Sequence, residues 1–185
     1  MDNKNELRKR YKRLRKSLSA EKMSFQITQQ CKKLCIWDNL HYHLYLASTR
    51  PQVNEVSTVP LIDYLIKSNK NIYVPKVNGN EMTTHRLNKN SNLKLNQWLI
   101  PEPMHDASVD PKRIEVIFLP MLIGDQLGYR VGYGKGFYDR FIIKCNNDLV
   151  KIGLSFFEPI NRIADVEPFD QKLNYLVTPH KIHSF

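Results

Sequence analysis

An α/β domain with a mostly parallel sheet is the fold class this chain predicts. Three observations carry it. Short β-rich runs alternate with segments whose apolar residues recur at helical spacing. The most apolar run, residues 115–119 (EVIFL), is continuous rather than alternating, as expected of a strand covered on both faces. The chain of 185 residues, 42% hydrophobic and 25% charged, is long enough to bury a core without a disulfide or metal staple.

Residues 2–18 are expected to form a helix, because Leu7, Tyr11, Leu14 and Leu18 recur at spacings of four, three and four. Ser19 suits the N-cap of a second helix running to about Leu34. Residues 43–47 (HLYLA) read as a short strand and 48–54 as a loop. Val59, Ile62, Leu65 and Ile66 predict a helix over 56–68. Residues 71–75 (NIYVP) read as a strand stopped by its proline. Residues 88–113 are polar, with Pro101, Pro103 and Pro111, and read as irregular. A connection that long is a functional loop or hides short elements. After the central strand come a helix over 137–145, a strand over 150–156 and a short strand over 176–178. With no internal repeat or low-complexity linker, one domain spanning 1–185 is expected.

The net charge of +10 is uneven: residues 1–20 hold eight cations against Asp2 and Glu6, or +6. Such a helix can lie on an anionic membrane or RNA, can aim one or two cations at a bound polyphosphate, or can be merely a solvated basic face. No apolar run approaches the ~18 residues that span a bilayer, and the N-terminus lacks an apolar signal region, so a cytoplasmic protein is expected. Cys31, Cys35 and Cys145 are odd in number and lack partners for a zinc set, so buried or partly buried free thiols are expected. The six histidines show no metal or catalytic spacing and read as surface or core residues.

Five of the seven glycines fall between 124 and 136, in the segment PMLIGDQLGYRVGYGKGFYDR that follows the strongest strand and runs into a helix. In open parallel sheets ligands bind at the carboxyl ends of strands, so this loop is the place to look. Glycines let backbone N–H groups line a concave nest for an anion, and Lys135 and Arg130 supply cations beside it. The spacing is neither G-x-x-x-x-G-K-[ST] nor G-x-G-x-x-G, so a phosphate nest and a simple chain reversal both remain open here. Asp139, just inside the helix, can hold Mg²⁺ beside phosphates or merely offset the helix dipole.

The same segment resembles the signature P-x-x-x-x-D-x-x-G-x-R-x-G-x-G-x-G-x-Y-D of the 5-formyltetrahydrofolate cyclo-ligase family, through Pro120, Asp125, Gly128, Arg130, Gly132, Gly134, Gly136, Tyr138 and Asp139. Shorter matches fall in order along residues 4–178. Lys4 to Arg8 is similar to K-x-x-L-R, Glu55 to the family's substrate glutamate, Trp98 to Pro103 to W-x-I-P-x-P, and Glu167 to Asp170 to a metal-associated segment. The resemblance implies a three-layer α/β/α fold of the ribose-isomerase/CoA-transferase type. It implies an enzyme that closes 5-formyltetrahydrofolate to 5,10-methenyltetrahydrofolate with ATP and Mg²⁺, releasing ADP and phosphate. By it, Lys135 and Arg130 are catalytic, and Lys4, Arg8, Arg130, Gly132, Gly134, Lys135, Gly136, Phe137 and Tyr138 bind ATP. Glu55, Trp98, Tyr133 and Phe137 bind the folate, and Asp139 and Asp170 serve the metal, with Asp165 a nearby rival. Phe137 replaces the first of two tyrosines found in many members, so only its ring contact carries over. Asp125 is expected to shape the loop or face substrate. Lys9, Arg10, Lys12, Arg13, Arg15 and Lys16 are left as mostly solvated. The implied partners are two small molecules, reduced folate and ATP, bound by a monomer with no membrane or nucleic-acid partner.

Overall fold

The computed structural model describes residues 1–34, 40–104 and 107–185; Cys35 and His105 lie outside them. Helix α1 (Lys4–Arg15) opens on a capping box. The Asn3 side chain accepts the N–H groups of Asn5 and Glu6, and Glu6 accepts that of Asn3. The helix is therefore shorter than 2–18, and the chain turns over 16–19 into α2 (Ala20–Leu34). Next come β1 (His41–Leu44), α3 (Val59–Lys67), β2 (Asn71–Asn78) and β3 (Glu81–Leu87). A hairpin of β4 (Leu93–Leu95) and β5 (Pro101–Pro103) follows, then a 3₁₀ turn (Pro111–Arg113) and β6 (Val116–Pro120). The chain closes with β7 (Ile123–Gly124), β8 (Arg130–Val131), α4 (Phe137–Ile142), β9 (Val150–Leu154), β10 (Tyr175–Val177) and β11 (Ile182–Ser184).

The main sheet runs β11-β10-β9-β6-β1-β2-β3. Its five inner strands are parallel, and β11 and β3 flank them antiparallel. β6 is the central strand, as the EVIFL run predicts. Its side chains alternate between two cores, because successive residues of a strand face opposite ways. Val116 and Phe118 join Leu44, Val74, Ile152 and Leu154 beneath α2 and α3. Ile117 and Leu119 join Tyr73, Leu149 and Leu176 beneath α4. This is the expected three-layer arrangement. Helix α1 lies outside those layers, packing Leu7 and Tyr11 on Leu122, Ile123 and Val131 of the β7–β8 hairpin.

Several boundaries differ from expectation for local reasons. The strand expected at 43–47 sits two residues earlier, because the Tyr45 carbonyl is taken by the Thr58 hydroxyl rather than by a neighbouring strand. β2 runs past Pro75 because β1 pairs with it only as far as Tyr73, leaving β3 alone alongside the prolyl nitrogen. α4 ends at Ile142, not 145; Lys144 and Cys145 donate to carbonyls three residues back, which tightens the last turn. The stretch 88–113 hides the β4–β5 hairpin, and β3 and β11 are strands the hydrophobic pattern did not reveal. Cys31 and Cys145 are buried, as expected. Among the described residues no helix is long and apolar enough to cross a membrane.

His43 is fully buried on β1, against the rings of Tyr138 and Phe141, and neither ring nitrogen has a hydrogen-bond partner. Burial pushes its pKa down to about 3. The unfolded chain keeps a value near 6.5, so between these values the unfolded state binds the extra proton and stability falls as pH drops. The slope from this residue is about 1.4 kcal/mol per pH unit. His43→Leu is expected to raise Tm, with a gain that widens below about pH 6.5. Thermal melts across that range check it.

Candidate active site at the glycine loop

The chain leaves the centre of the sheet at Pro120 and must reverse over the carboxyl ends of the strands. Asp125 organises the reversal. It is fully buried; Oδ1 accepts the N–H groups of Leu127 (3.0 Å) and Tyr129 (2.9 Å), and Oδ2 that of Ile163 (3.1 Å). Buried behind these three bonds, it shapes the loop.

The hairpin delivers the glycine segment. Gly134 (φ +94°) and Gly136 (φ +65°) lie in the left-handed region that side chains disfavour. A Cβ on Gly134 would stand 3.2 Å from the Arg8 guanidinium carbon, so the bare backbone is what admits Arg8. Arg8 Nε donates to the Gly132 carbonyl at 3.1 Å. Helix α4 is only six residues long, so the charge here comes from side chains more than from a helix dipole.

Four cations converge on this loop. Lys4 pairs through its ammonium with Asp170. The Lys4 backbone N–H donates to Asp165 at 2.6 Å, which ties Asp165 to the start of α1 and leaves Asp170 as the carboxylate beside the lysine side chain. Arg8 lies on the glycines. Arg130 is turned beneath the loop, where it donates to Asp139 (2.7 Å) and to the Gln171 carbonyl (2.6 Å). Lys135 is exposed, with its ammonium 4.0 Å from the centre of the Trp98 ring. Phe137 stands 6.4 Å from the same ring, and Arg140 packs on the far partner, Phe137, at 5.4 Å.

Trp98 and Glu55 are held by one short bracket. The Ser48 N–H donates to Glu55 (2.8 Å), and the Ser48 hydroxyl donates to the Trp98 carbonyl (2.8 Å). The next residue, Thr49, donates its N–H to the carbonyl of Leu99 (2.8 Å), which has φ +55° at the hairpin tip. Glu55 is half-buried and faces the phenols of Tyr133 and Tyr138. Burial first, then the Glu55 charge, raises the pKa of both hydroxyls well above the ordinary value, so both keep their protons. Tyr138 packs beneath the loop on both cores rather than out of it.

The structure thus brings together Lys4, Arg8, Lys135, Trp98, Phe137, Glu55, Tyr133, Arg130, Asp139 and Asp170 around Gly132, Gly134 and Gly136. One reading of α1 is corrected. Arg15, expected to be solvated, is 2% exposed and points inward, while Leu14 of the expected apolar stripe is 38% exposed. Arg15 lies four residues after Tyr11 and eight after Leu7, so helical spacing carried the signal although residue type hid it. Ser48 and Gln171 carried no such signal.

Among the described residues no group of three or more His, Cys, Asp and Glu could hold a metal ion by itself. The bonds to Asp139 from Arg130 and Gln171 reach Oδ1, and those to Asp170 from Lys4 and Glu167 reach Oδ2. Carboxylate oxygens are the ligand type Mg²⁺ takes, and this ion is usually held by one or two of them together with a bound phosphate and water. An open groove of about 880 Å³ lies elsewhere, at the amino end of β2 near Asn69, Arg86 and Asn92, away from these groups.

The family model described as the 5-formyltetrahydrofolate cyclo-ligase family matches residues 1–179. The chain belongs to this family. It is 32% identical over 170 residues to a Schizosaccharomyces pombe protein called "Probable 5-formyltetrahydrofolate cyclo-ligase", covering 83% of this chain and 78% of that one. It is 31% identical over 135 residues to the Escherichia coli K12 5-formyltetrahydrofolate cyclo-ligase, covering 69% and 74%. The NMR structure of Aquifex aeolicus 5,10-methenyltetrahydrofolate synthetase superimposes with a TM-score of 0.83 at 29% identity, covering 98% of this chain and 92% of that one.

Removing the Asp125 carboxylate would leave three backbone N–H groups without their acceptor. Asp125→Ala is expected to cost about 3 kcal/mol, a fall of roughly 10 °C in Tm, with Asp125→Asn recovering part of it. Thermal melts of the two variants check this.

Proposed function

We propose that this family member closes 5-formyltetrahydrofolate to 5,10-methenyltetrahydrofolate at the glycine loop, using ATP and Mg²⁺ and releasing ADP and phosphate. One observation carries the reading: cations from α1 and the loop meet the Glu55–Trp98 pair across the same five residues, Gly132 to Gly136. Such an arrangement sets an anion nest beside an aromatic wall and a hydrogen-bond acceptor.

The chemistry needs both halves. A formamide oxygen leaves poorly until it is derivatised. Transfer of the γ-phosphoryl group to it requires alignment and charge neutralisation more than a protein nucleophile. In our reading the loop amides, Lys4, Arg8 and Lys135 receive the triphosphate, and Lys135 moves off Trp98 to reach the transferring group. Arg130 is the buried countercharge that holds Asp139 at the loop. Asp139 and Asp170 would hold the metal, which when bound neutralises phosphate charge. Phe137 and Trp98 wall the folate, Tyr133 lies beside Glu55, and the Glu55 carboxylate accepts N–H groups of the pterin. Once the formyl oxygen is phosphorylated, the amine at folate position 10 attacks the carbon and phosphate departs as the ring closes. We further propose that the protein works as a cytoplasmic monomer on these two small molecules.

Growth of methenyl-product absorbance from 5-formyltetrahydrofolate with Mg-ATP tests the reading directly; folded protein that forms no ATP-dependent product ends it. Lys135→Ala is expected to lower turnover about 10- to 100-fold and weaken ATP, the size of a lost charge-assisted contact. Its Tm should move by no more than about 2 °C, since an exposed loop cation contributes little to the core. Asp139→Asn is expected to raise the Mg²⁺ needed for half-maximal rate, and an unchanged requirement would remove Asp139 from the metal site.

A further inference from the structure

Arg15 is the one α1 cation drawn wholly inside. Its guanidinium donates through NH2 to the Met121 carbonyl, just past the end of β6, and through NH1 to the Tyr133 hydroxyl at 2.6 Å. The guanidinium carbon lies 5.7 Å from the Phe156 ring centre. The Arg15 carbonyl accepts the side-chain amide of Asn54 at 2.5 Å, so the residue preceding Glu55 is tied to the same point. Nε has no partner. A buried guanidinium with an unpaired N–H is a poor device for stability, since apolar packing of similar volume commonly does as well. Its geometry therefore asks for another use.

The hydrogen-bond polarity supplies one. A guanidinium only donates, and a phenol has one hydrogen. With Arg15 donating into the Tyr133 oxygen, the single Tyr133 hydrogen is left to turn toward the Glu55 carboxylate, whose charge lies close enough to raise the Tyr133 pKa. Glu55 meanwhile accepts from the Ser48 N–H. Ser48 already donates into Glu55, and a carboxylate only accepts, so an acceptor is what it offers outward.

We propose that Arg15 is a positioning residue that acts through Tyr133: the relay Arg15–Tyr133–Glu55 fixes the Glu55 carboxylate as an oriented acceptor for the N–H edge of the folate's pterin. The inference rests on the reading above that Glu55 faces the folate. It makes the affinity for the folate, and not for the nucleotide, depend on a hydroxyl that touches neither phosphate nor metal.

The test pairs equilibrium binding with turnover. Tyr133→Phe removes the hydroxyl and keeps the ring. It is expected to weaken calorimetric binding of 5-formyltetrahydrofolate, and to raise its KM, about tenfold, the size of one hydrogen bond to a charged group, with the ATP KM changed less than about twofold. Arg15→Met should act the same way, and the double variant should bind folate no more weakly than Tyr133→Phe alone. Arg15→Lys should not restore affinity, because an ammonium cannot fork onto Met121 and Tyr133 as the guanidinium does. Unchanged folate affinity in Tyr133→Phe overturns the proposal, as do additive losses in the double variant or an equal loss of ATP affinity. So does a wild-type protein that binds no folate. A wild type that binds folate through Tyr133 and Glu55 yet forms no product would leave the relay standing and remove the proposed reaction, so the two failures are separable.

Discussion

The glycine loop has almost no regular structure of its own, and the docking of α1 is what gives it a shape. Between Pro120 and Phe137 the chain forms only two two-residue strands, β7 and β8. Glycine-rich backbone has many accessible conformations to lose, so an isolated loop of this composition would not hold a nest. Two arginines from one face of α1 supply the constraint: Arg15 reaches the carbonyl at the start of the loop, and Arg8 reaches the Gly132 carbonyl near its end. Leu7 and Tyr11 bury between them on the hairpin. The helix is thus clamped on apolar contact and delivers its charges in register.

That arrangement divides the basic charge of α1 by helix face. Leu7, Tyr11 and Arg15 face inward, and Lys4 and Arg8 flank that stripe where they meet the loop. Lys9, Arg10, Lys12, Arg13 and Lys16 stay exposed. Of these, Arg10 is loosely paired with Asp2 at 3.4 Å, a surface pair of little energetic consequence. The exposed charges still raise the potential around the loop, which attracts anions as a class and selects none of them. Arg8, by contrast, holds a fixed place on the glycines. Basic composition alone therefore could not separate the α1 charges that meet the loop from those that stay exposed; the helical register does.

Much of the fold was legible because it follows from burial. The EVIFL run is the central strand, and the helices of the sandwich fall within a few residues of their apolar periods. What escaped notice was decided by partners distant in the chain. β3 (EMTTHRL) alternates only weakly and is a strand because β2 lies beside it. The β4–β5 hairpin has one buried residue, Pro103, and exists through side-chain bonds of Asn96 and Glu102, among them Glu102 to the Val77 N–H at 3.0 Å. Hydrophobic pattern has no purchase on such elements.

The site divides along the same physical line. Lys135, Asp139, Trp98 and Glu55 could be picked out from the chain as candidates because the chemistry a ligand would demand is written in residue type and local motif. Arg15, Ser48 and Gln171 do their work on other protein groups, and what qualifies them is geometry: a carbonyl within reach, a hydroxyl with its hydrogen left over, an N–H aimed at a carboxylate. Any serine has the donors that Ser48 uses, and most arginines in a basic helix are solvated. Arg15 is the instructive intermediate, since its place on the Leu7–Tyr11 stripe was present in the sequence while its residue type argued for the surface. A cation at a core position of an otherwise apolar stripe must find acceptors inside the fold or unfold the turn around it. Where the fold supplies such acceptors beside a candidate site, the misplaced charge points to the residues that shape it.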